Sequence, residues 1–342
     1  MSRVAQVRQF YSDPDRKGLA RIVMESVRSG FAERELPIFY FTSLMYKRSV
    51  GDYRKFIGRR RIHRVQREVF AGGPDITLLE DKTRFAHYME ERGLPSPRIL
   101  AHTEGMTIVS GESRHTIDDS DDMVVVLRQI CARSSSGRIF VKSREGMGGK
   151  TAFKIDASVD PDDVRDLRQL MRTQSLLLQE QIVQADQIDR LYPHSINTVR
   201  IHTYRRSPAE TAEVFGALLR VGTGGRLVDN GGLFAPIDQA TWTLGRVGWS
   251  LLQRGGRTFA QHPDTGIRFE GYQVPFGDQI TEICQKAARA FERPFIAWDI
   301  ALTPDGPTII EGNHNPHLIM AQIASGGIKG DKHFSPALDH LV

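Results

Sequence analysis

The chain has 342 residues, 40% of them apolar and 25% charged, which is the balance of a soluble globular protein and more than one compact core usually holds. Its start, MSRVAQVRQFYSDPDRKG, has no apolar segment of the secretory kind, and no run approaches a membrane span. Cys131 and Cys284 stand far apart, so neither a disulfide framework nor a thiolate metal site is expected, and a reducing cytoplasm is the expected location.

The formal charge of +5 is unevenly spread: residues 1–70 carry sixteen Lys and Arg against seven Asp and Glu. RKFIGRRRIHRVQR, residues 54–67, is the densest part. Such a run suits a phosphate-rich substrate, a nucleic acid or an anionic membrane face, although basic runs are often only solvated helix faces. No signature of a DNA- or RNA-binding module accompanies it, so no nucleic acid partner is expected.

Residues 1–70 read as mostly helical, with apolar residues at helical spacing in GLARIVMESVRSGF and GDYRKFIGRRRIHRVQREVF. LPIFYFTSLMY is dense in apolar residues and open between helix and strand. AGGPD, residues 71–75, is a break. TLLEDKTRFAHYMEERG predicts one helix ended by Gly93, followed by a Pro-rich turn and a strand near Arg98–His102. DDMVVVLRQICAR predicts a helix; GRIFVKS and KTAFKID predict strands joined by REGMGG. DPDDVRDLRQLMRT predicts a helix with Asp160 as N-cap and Pro161 in its first turn. SLLLQEQIV is a buried strand, and SINTVRIHTYR, AEVFGALLRVG and a hairpin at 298–316 complete an α+β pattern rich in hairpins, with a helix over GDQITEICQKAARAFE.

The hairpin WDIALTPDGPTIIEGNHNP carries the strongest chemistry. Side chains alternate along a strand, so Ala297, Asp299 and Ala301 share one face and Ile309, Glu311 and Asn313 share another. A two-residue Asp305-Gly306 loop would set Asp299 opposite Gly312. A three-residue Pro304-Asp305-Gly306 loop, with Gly306 left-handed, sets it opposite Glu311, and that register is the expected one. Two carboxylates and an amide oxygen on one face form a hard-oxygen set suited to Mg²⁺ beside a nucleotide's phosphates.

In GRIFVKSREGMGGKTAFKI, a strand delivers Lys142 and then Gly146, Gly148 and Gly149 let backbone N–H groups turn inward around phosphate. The spacing is not that of a Walker A loop. SLLLQEQI runs into Gln179, Glu180 and Gln181, a place for an adenine edge, with Gln187 or Asp189 near the ribose. SINTVRIHTYR sets Asn197 and Arg200 in a β-rich run, where Arg200 is suited to bidentate contact with a phosphoryl group or a carboxylate. VDNGGLFAPID is a polar glycine-rich loop before a strand. Each stretch alone also reads as ordinary structure: a flexible turn, a strand leaving the core, a structural ion pair.

Their order is more specific. It resembles the ATP-grasp superfamily over about residues 78–320, and SINTVRIHTYR, VDNGGLFAPID and WDIALTPDGPTIIEGNHNP look most like its sugar-transfer-associated branch. FVKSREGMGG is also similar to the glycine loop of D-alanine–D-alanine ligases. The resemblance implies an α+β fold of two subdomains clasping ATP: a small lid subdomain with its linker at 76–184 and a C-terminal subdomain at 185–342, after a helical basic region at 1–75. It implies that Lys82 and Lys142 contact the phosphates, that Glu180 and Ile182, with Gln181 between them, line the adenine hinge, and that Asp189 meets the ribose. Asp299, Glu311 and Asn313 match the Mg²⁺ ligands, Arg200 the arginine on the transferred phosphoryl group, and Asn230 its helper.

This chain departs from the pattern in three places. Ala297 stands where D-alanine-type ligases have an arginine, so Arg200 works alone or another arginine supplies the charge. His317 replaces a usual glycine, with His314 nearby, and the first 70 residues are unlike the usual first subdomain. The expected activity is ATP-dependent joining of a small-molecule carboxylate to an amine through an acyl phosphate, with an oligomer allowed. Phosphorylation of a small-molecule or sugar acceptor is the alternative within the same site. A nucleotide-binding scaffold working at a polyanion or membrane surface is the alternative of another kind.

Overall fold

A computed structural model describes residues 8, 10–144, 152–226 and 232–335. The chain begins with helices α1 (Leu19–Glu33), α2 (Ile38–Thr42) and α3 (Arg59–Val65). The ambiguous apolar stretch thus forms a short helix and a turn, burying Phe39, Tyr40, Leu44 and Met45. The basic run is not one continuous helix. Gly58 interrupts it, and α3 starts afresh where Glu33 and Glu35 accept from the backbone N–H groups of Gly58 and Arg60, each at 2.9 Å. Carboxylates from the end of α1 therefore satisfy donors that an uncapped helix start would leave without partners.

The next predicted helix is also two. α4 (Ile76–Glu80) and α5 (Lys82–Glu91) meet at Asp81, whose backbone leaves the helical region (φ −85°, ψ 104°). Its carboxylate caps α5 by accepting from Thr83 and Arg84 N–H at 2.9 and 3.1 Å. The apolar spacing carries through the break, which is why periodicity alone reads a single element.

Six antiparallel strands follow: β1 (Ile99–Glu104), β2 (Thr107–Ser110), β3 (Ser113–Thr116), β4 (Arg138–Ser143), β5 (Ala152–Asp156) and β6 (Leu176–Glu180), in the order β3-β2-β1-β6-β4-β5. Helices α6 (Ser120–Cys131) and α7 (Arg165–Met171) pack Met123, Leu127, Leu167 and Met171 against Ile139, Val141 and Leu178. Asp160 caps a turn, accepting from Asp162 and Asp163 N–H, and α7 begins at Arg165 rather than at Pro161.

After α8 (Asp186–Leu191) comes the second sheet: β7 (Thr198–Tyr204), β8 (Glu213–Val221), β9 (Leu233–Asp238), β10 (Thr243–Leu244), β11 (Gly248–Trp249), β12 (Thr258–Phe259), β13 (Phe295–Thr303) and β14 (Gly306–Asn313). Its order is β12-β11-β9-β8-β7-β13-β14, with β10 beside β9. One face is covered by α9 (Gly277–Arg289), which buries Ile280, Ile283, Cys284 and Ala287. Leu79, Phe85 and Met89 of α4 and α5 join this same core. Residues 76–94 precede the first sheet in the chain but pack with the second, because their apolar face fits Phe291 and Trp298. On the other face, Ile22, Phe39 and Leu44 meet Leu218, Phe234, Trp249 and Ile323, the last from α10 (Leu318–Ala324). The N-terminal helices are therefore part of the second unit rather than an appendage. Among the described residues no helix is long and apolar enough to cross a membrane.

Candidate active site

The β13–β14 hairpin turns through Pro304 and Asp305, with Thr303 paired to Gly306 at φ +121°. The expected three-residue loop is not formed. Asp299 still stands opposite Glu311, because a bulge between Asp299 and Ile300 leaves Ile310 as the extra residue and shifts the register by one. Gly312 is required by space: a Cβ there would lie 2.8 Å from Leu79 Cδ2 and 2.9 Å from Trp298 Cζ3. The close approach packs β14 against α4, and by alternation Glu311 and Asn313 point to the opposite face of the sheet.

Asp299 is 3% exposed and stands opposite Arg200 on β7. Arg200 grips it with both ends of its fork, Nε to Oδ1 and Nη2 to Oδ2, the latter at 2.9 Å. Arg220 of β8 adds Nη1 to Oδ2 at 3.0 Å. Burial alone would push the Asp299 carboxyl up; Arg200 and Arg220 outweigh it and hold it far below the usual carboxylate range. Glu311 is placed differently. It faces Asp299 across the hairpin, and burial followed by that neighbour's charge pushes its carboxyl up to about 6. Asn313 Nδ2 lies 3.5 Å from Glu311 Oε1.

The first sheet contributes Lys142, and α5, packed on the second sheet, contributes Lys82. Lys142 on β4 is half-buried near Glu311, and burial lowers its ammonium to about 8, with Lys82 adding repulsion. Lys82, at the start of α5, donates to the Arg144 carbonyl at 3.4 Å, and Arg144 pairs with Asp81 at 3.2 Å. Lys82, Lys142, Arg200 and Arg220 thus outnumber Asp299 and Glu311, an excess of positive charge suited to a polyphosphate. Two carboxylates facing each other beside an amide form the donor set of a hard divalent cation. Among the described residues no three His, Cys, Asp or Glu side chains gather at metal distance, so the third protein donor would be the amide of Asn313.

Glu180 ends β6 with its carboxylate turned away from the cleft's centre, accepting from Ser135 N–H at 2.5 Å and paired with Arg98 at 3.4 Å. Gln181 N–H donates to the Arg138 carbonyl at 3.2 Å. Ile182 follows, half-buried in the linker to α8. Asp189, on α8, accepts from Gln184 Nε2 at 3.1 Å, and Lys154 of β5 reaches across to the His194 carbonyl at 2.7 Å. Asn197 is a clamp: wholly buried, it donates to the Ile188 and Tyr192 carbonyls and accepts from Gly222 N–H. His314 braces the site's rim, its ring nitrogens 3.1 Å from the Phe70 carbonyl and from Glu80. His317 is exposed. Gly146, Gly148, Gly149 and Asn230 lie outside the described residues.

Arg220 was not among the sequence candidates. It reaches the same Asp299 as Arg200, from a different strand. The available signal was a lone ion within an apolar strand: TVRIH, ALLRV and AWDIA each hold one, and the three meet in space.

The profile described as Sugar-transfer associated ATP-grasp matches residues 72–331. The comparison with curated proteins returns no match. Solved structures that resemble the chain include carboxyaminoimidazole ribonucleotide synthase from Aspergillus clavatus complexed with ATP, at 12% identity and TM-score 0.43, covering 77% of this chain and 52% of that one. D-alanyl-alanine synthetase A from Vibrio cholerae matches at 13% identity and TM-score 0.44, covering 77% and 64%. The ATP-grasp ligase PsnB complexed with minimal precursor matches at 16% identity and TM-score 0.41, covering 78% and 61%. The chain therefore spans between about half and two thirds of each of these proteins. With the profile matched over most of its length, the chain belongs to the sugar-transfer-associated ATP-grasp family.

Proposed function

We propose that the protein is an ATP- and Mg²⁺-dependent ligase that joins a small-molecule carboxylate to an amine through an acyl phosphate, releasing ADP and phosphate. The observation that carries this reading is the convergence of Lys142 from the first sheet and Lys82 from the start of α5 on Asp299, Glu311, Arg200 and Arg220 of the second sheet. ATP would lie between the sheets with adenine at the Glu180–Ile182 backbone and ribose near Asp189. Lys82, Lys142 and the loop glycines Gly146, Gly148 and Gly149 would face its phosphates. Asp299, Glu311 and Asn313 would hold Mg²⁺, which neutralises charge on phosphate oxygens when bound.

Phosphoryl transfer asks for position and charge rather than a protein nucleophile. A substrate carboxylate oxygen attacks the γ-phosphorus as the bond to ADP breaks. The amine nitrogen then attacks the acyl carbon, phosphate leaves, and the amine's proton passes to a phosphate oxygen or solvent. Arg220 has a separate task here. It keeps Asp299 ionised while the Arg200 fork turns to the transferred phosphoryl group, so the charge that Ala297 does not supply comes from β8.

Hydroxylamine trapping over a panel of carboxylic acids tests the reading. Hydroxamate and ADP should form together, and Glu311→Ala should abolish both. A stable phosphorylated acceptor, or ADP without hydroxamate, contradicts it.

A further inference from the structure

Helix α1 is turned inside out. The face it packs on the protein carries Ile22, Glu25, Ser26 and Ser29, while Leu19, Val23, Val27 and Phe31 recur every fourth residue on the outside. Their exposures are 49, 61, 47 and 81%. Met24 widens the stripe, and Leu36 and Ile38, 76% and 56% exposed, extend it past the helix end. At ~100° per residue a step of four drifts by only ~40°, so these side chains form one continuous band.

The orientation is set by the buried side. Glu25 is 2% exposed and accepts from Lys17 at 2.8 Å, Tyr40 at 2.8 Å and Arg21 at 2.7 Å. Rolling the helix to hide its apolar residues would break that saturated network. The apolar band is therefore a stable exposed surface, and such bands mark interaction sites.

Its margin is cationic. Arg21 and Arg28 flank Met24 along a cavity of about 590 Å³ that Arg48 and Arg54 line from the far side. Arg34, Arg59 and Arg60 stand exposed at the other end. Of the acids nearby, Glu25 is in the network above, Glu33 is on Gly58 N–H and Lys329, and Glu35 is on the start of α3; Asp52, which also lines the cavity, is paired with Arg54 at 2.7 Å. Among the described residues Arg28, Arg34, Arg59 and Arg60 make no ion pair.

We propose that this band and its arginine margin dock the protein on an anionic lipid bilayer, with Val23, Val27 and Phe31 at the acyl boundary and the arginines among headgroups. An apolar stripe edged by cations is the chemistry of an interfacial helix. A second copy packed on the stripe would set like-charged arginines against each other, which favours lipid over self-association.

Co-sedimentation of the full chain with vesicles tests this. It should bind a phosphatidylcholine–phosphatidylglycerol mixture, bind neutral phosphatidylcholine weakly, and release as salt rises. Val27→Asp with Phe31→Asp, and separately Arg28→Glu with Arg34→Glu, should each lower binding about tenfold or more. All four side chains are exposed, so circular dichroism and Tm should not change. Equal binding to neutral vesicles, no binding to either, or variants that bind like the parent would overturn the proposal. So would a dimer in light scattering that depends on Phe31 and forms without vesicle binding.

Discussion

Among the described residues two carboxylates, Glu25 and Asp299, are buried almost completely, and their surroundings differ in one respect. Glu25 is held by Lys17, Arg21 and Tyr40; burial raises its carboxyl and these donors bring it back below the normal range. Its charge is matched and its oxygens are saturated. Asp299 is held as firmly, by Arg200 and Arg220, but a second carboxylate stands against it. Among the described residues no cation pairs with Glu311 as those of Asp299 do, and it is pushed towards protonation. A buried acid with all its partners is a staple; a pair of acids with one set of partners is the arrangement our proposal assigns to a cation.

Asp299→Ala should give the largest effect. It removes the carboxylate that the buried Arg200 fork grips, so roughly 3–5 kcal/mol of stability should go. Turnover should fall about a thousandfold or more in molecules that remain folded. Urea titration and ADP release measure the two losses. Glu25→Gln should cost stability of similar order, roughly 3 kcal/mol, by leaving Lys17 unpaired. Turnover per folded molecule should stay unchanged, and a loss of turnover would blur the distinction between staple and site.

Glu311→Gln should separate the two readings most finely. Turnover should be lost while stability holds or rises, since a like-charge neighbour is removed. The pH dependence carries the sign. Glu311 has a raised folded pKa, so the parent is favoured at low pH and loses that advantage as pH rises from the ordinary glutamate range through about 6. The glutamine variant cannot titrate there. Its Tm relative to the parent should climb across that window and level off above it.

Much of this site was legible in the sequence because its ions interrupt apolar strands. Asp299, Arg200 and Glu311 stand out in AWDIA, TVRIH and TIIEGN for that reason. The register came out as expected through a different device, since neither the short turn nor the bulge at Ile310 is encoded by alternation. Arg220 was missed because its role depends on β8 pairing with β7 and so on which strand lies beside which, information that no single stretch holds. The docking of α1 was hidden for a related reason. The buried face of α1 is polar, and a reader of periodicity assigns the apolar side to the core.

Calorimetric titration of a non-hydrolysable ATP analogue, with and without Mg²⁺, tests the central claim most directly. Binding should strengthen markedly with the metal in the parent protein and lose that dependence in Glu311→Gln. Equal affinity with and without Mg²⁺, or a metal effect that survives in the variant, would contradict the assignment of Asp299, Glu311 and Asn313 as the cation's ligands.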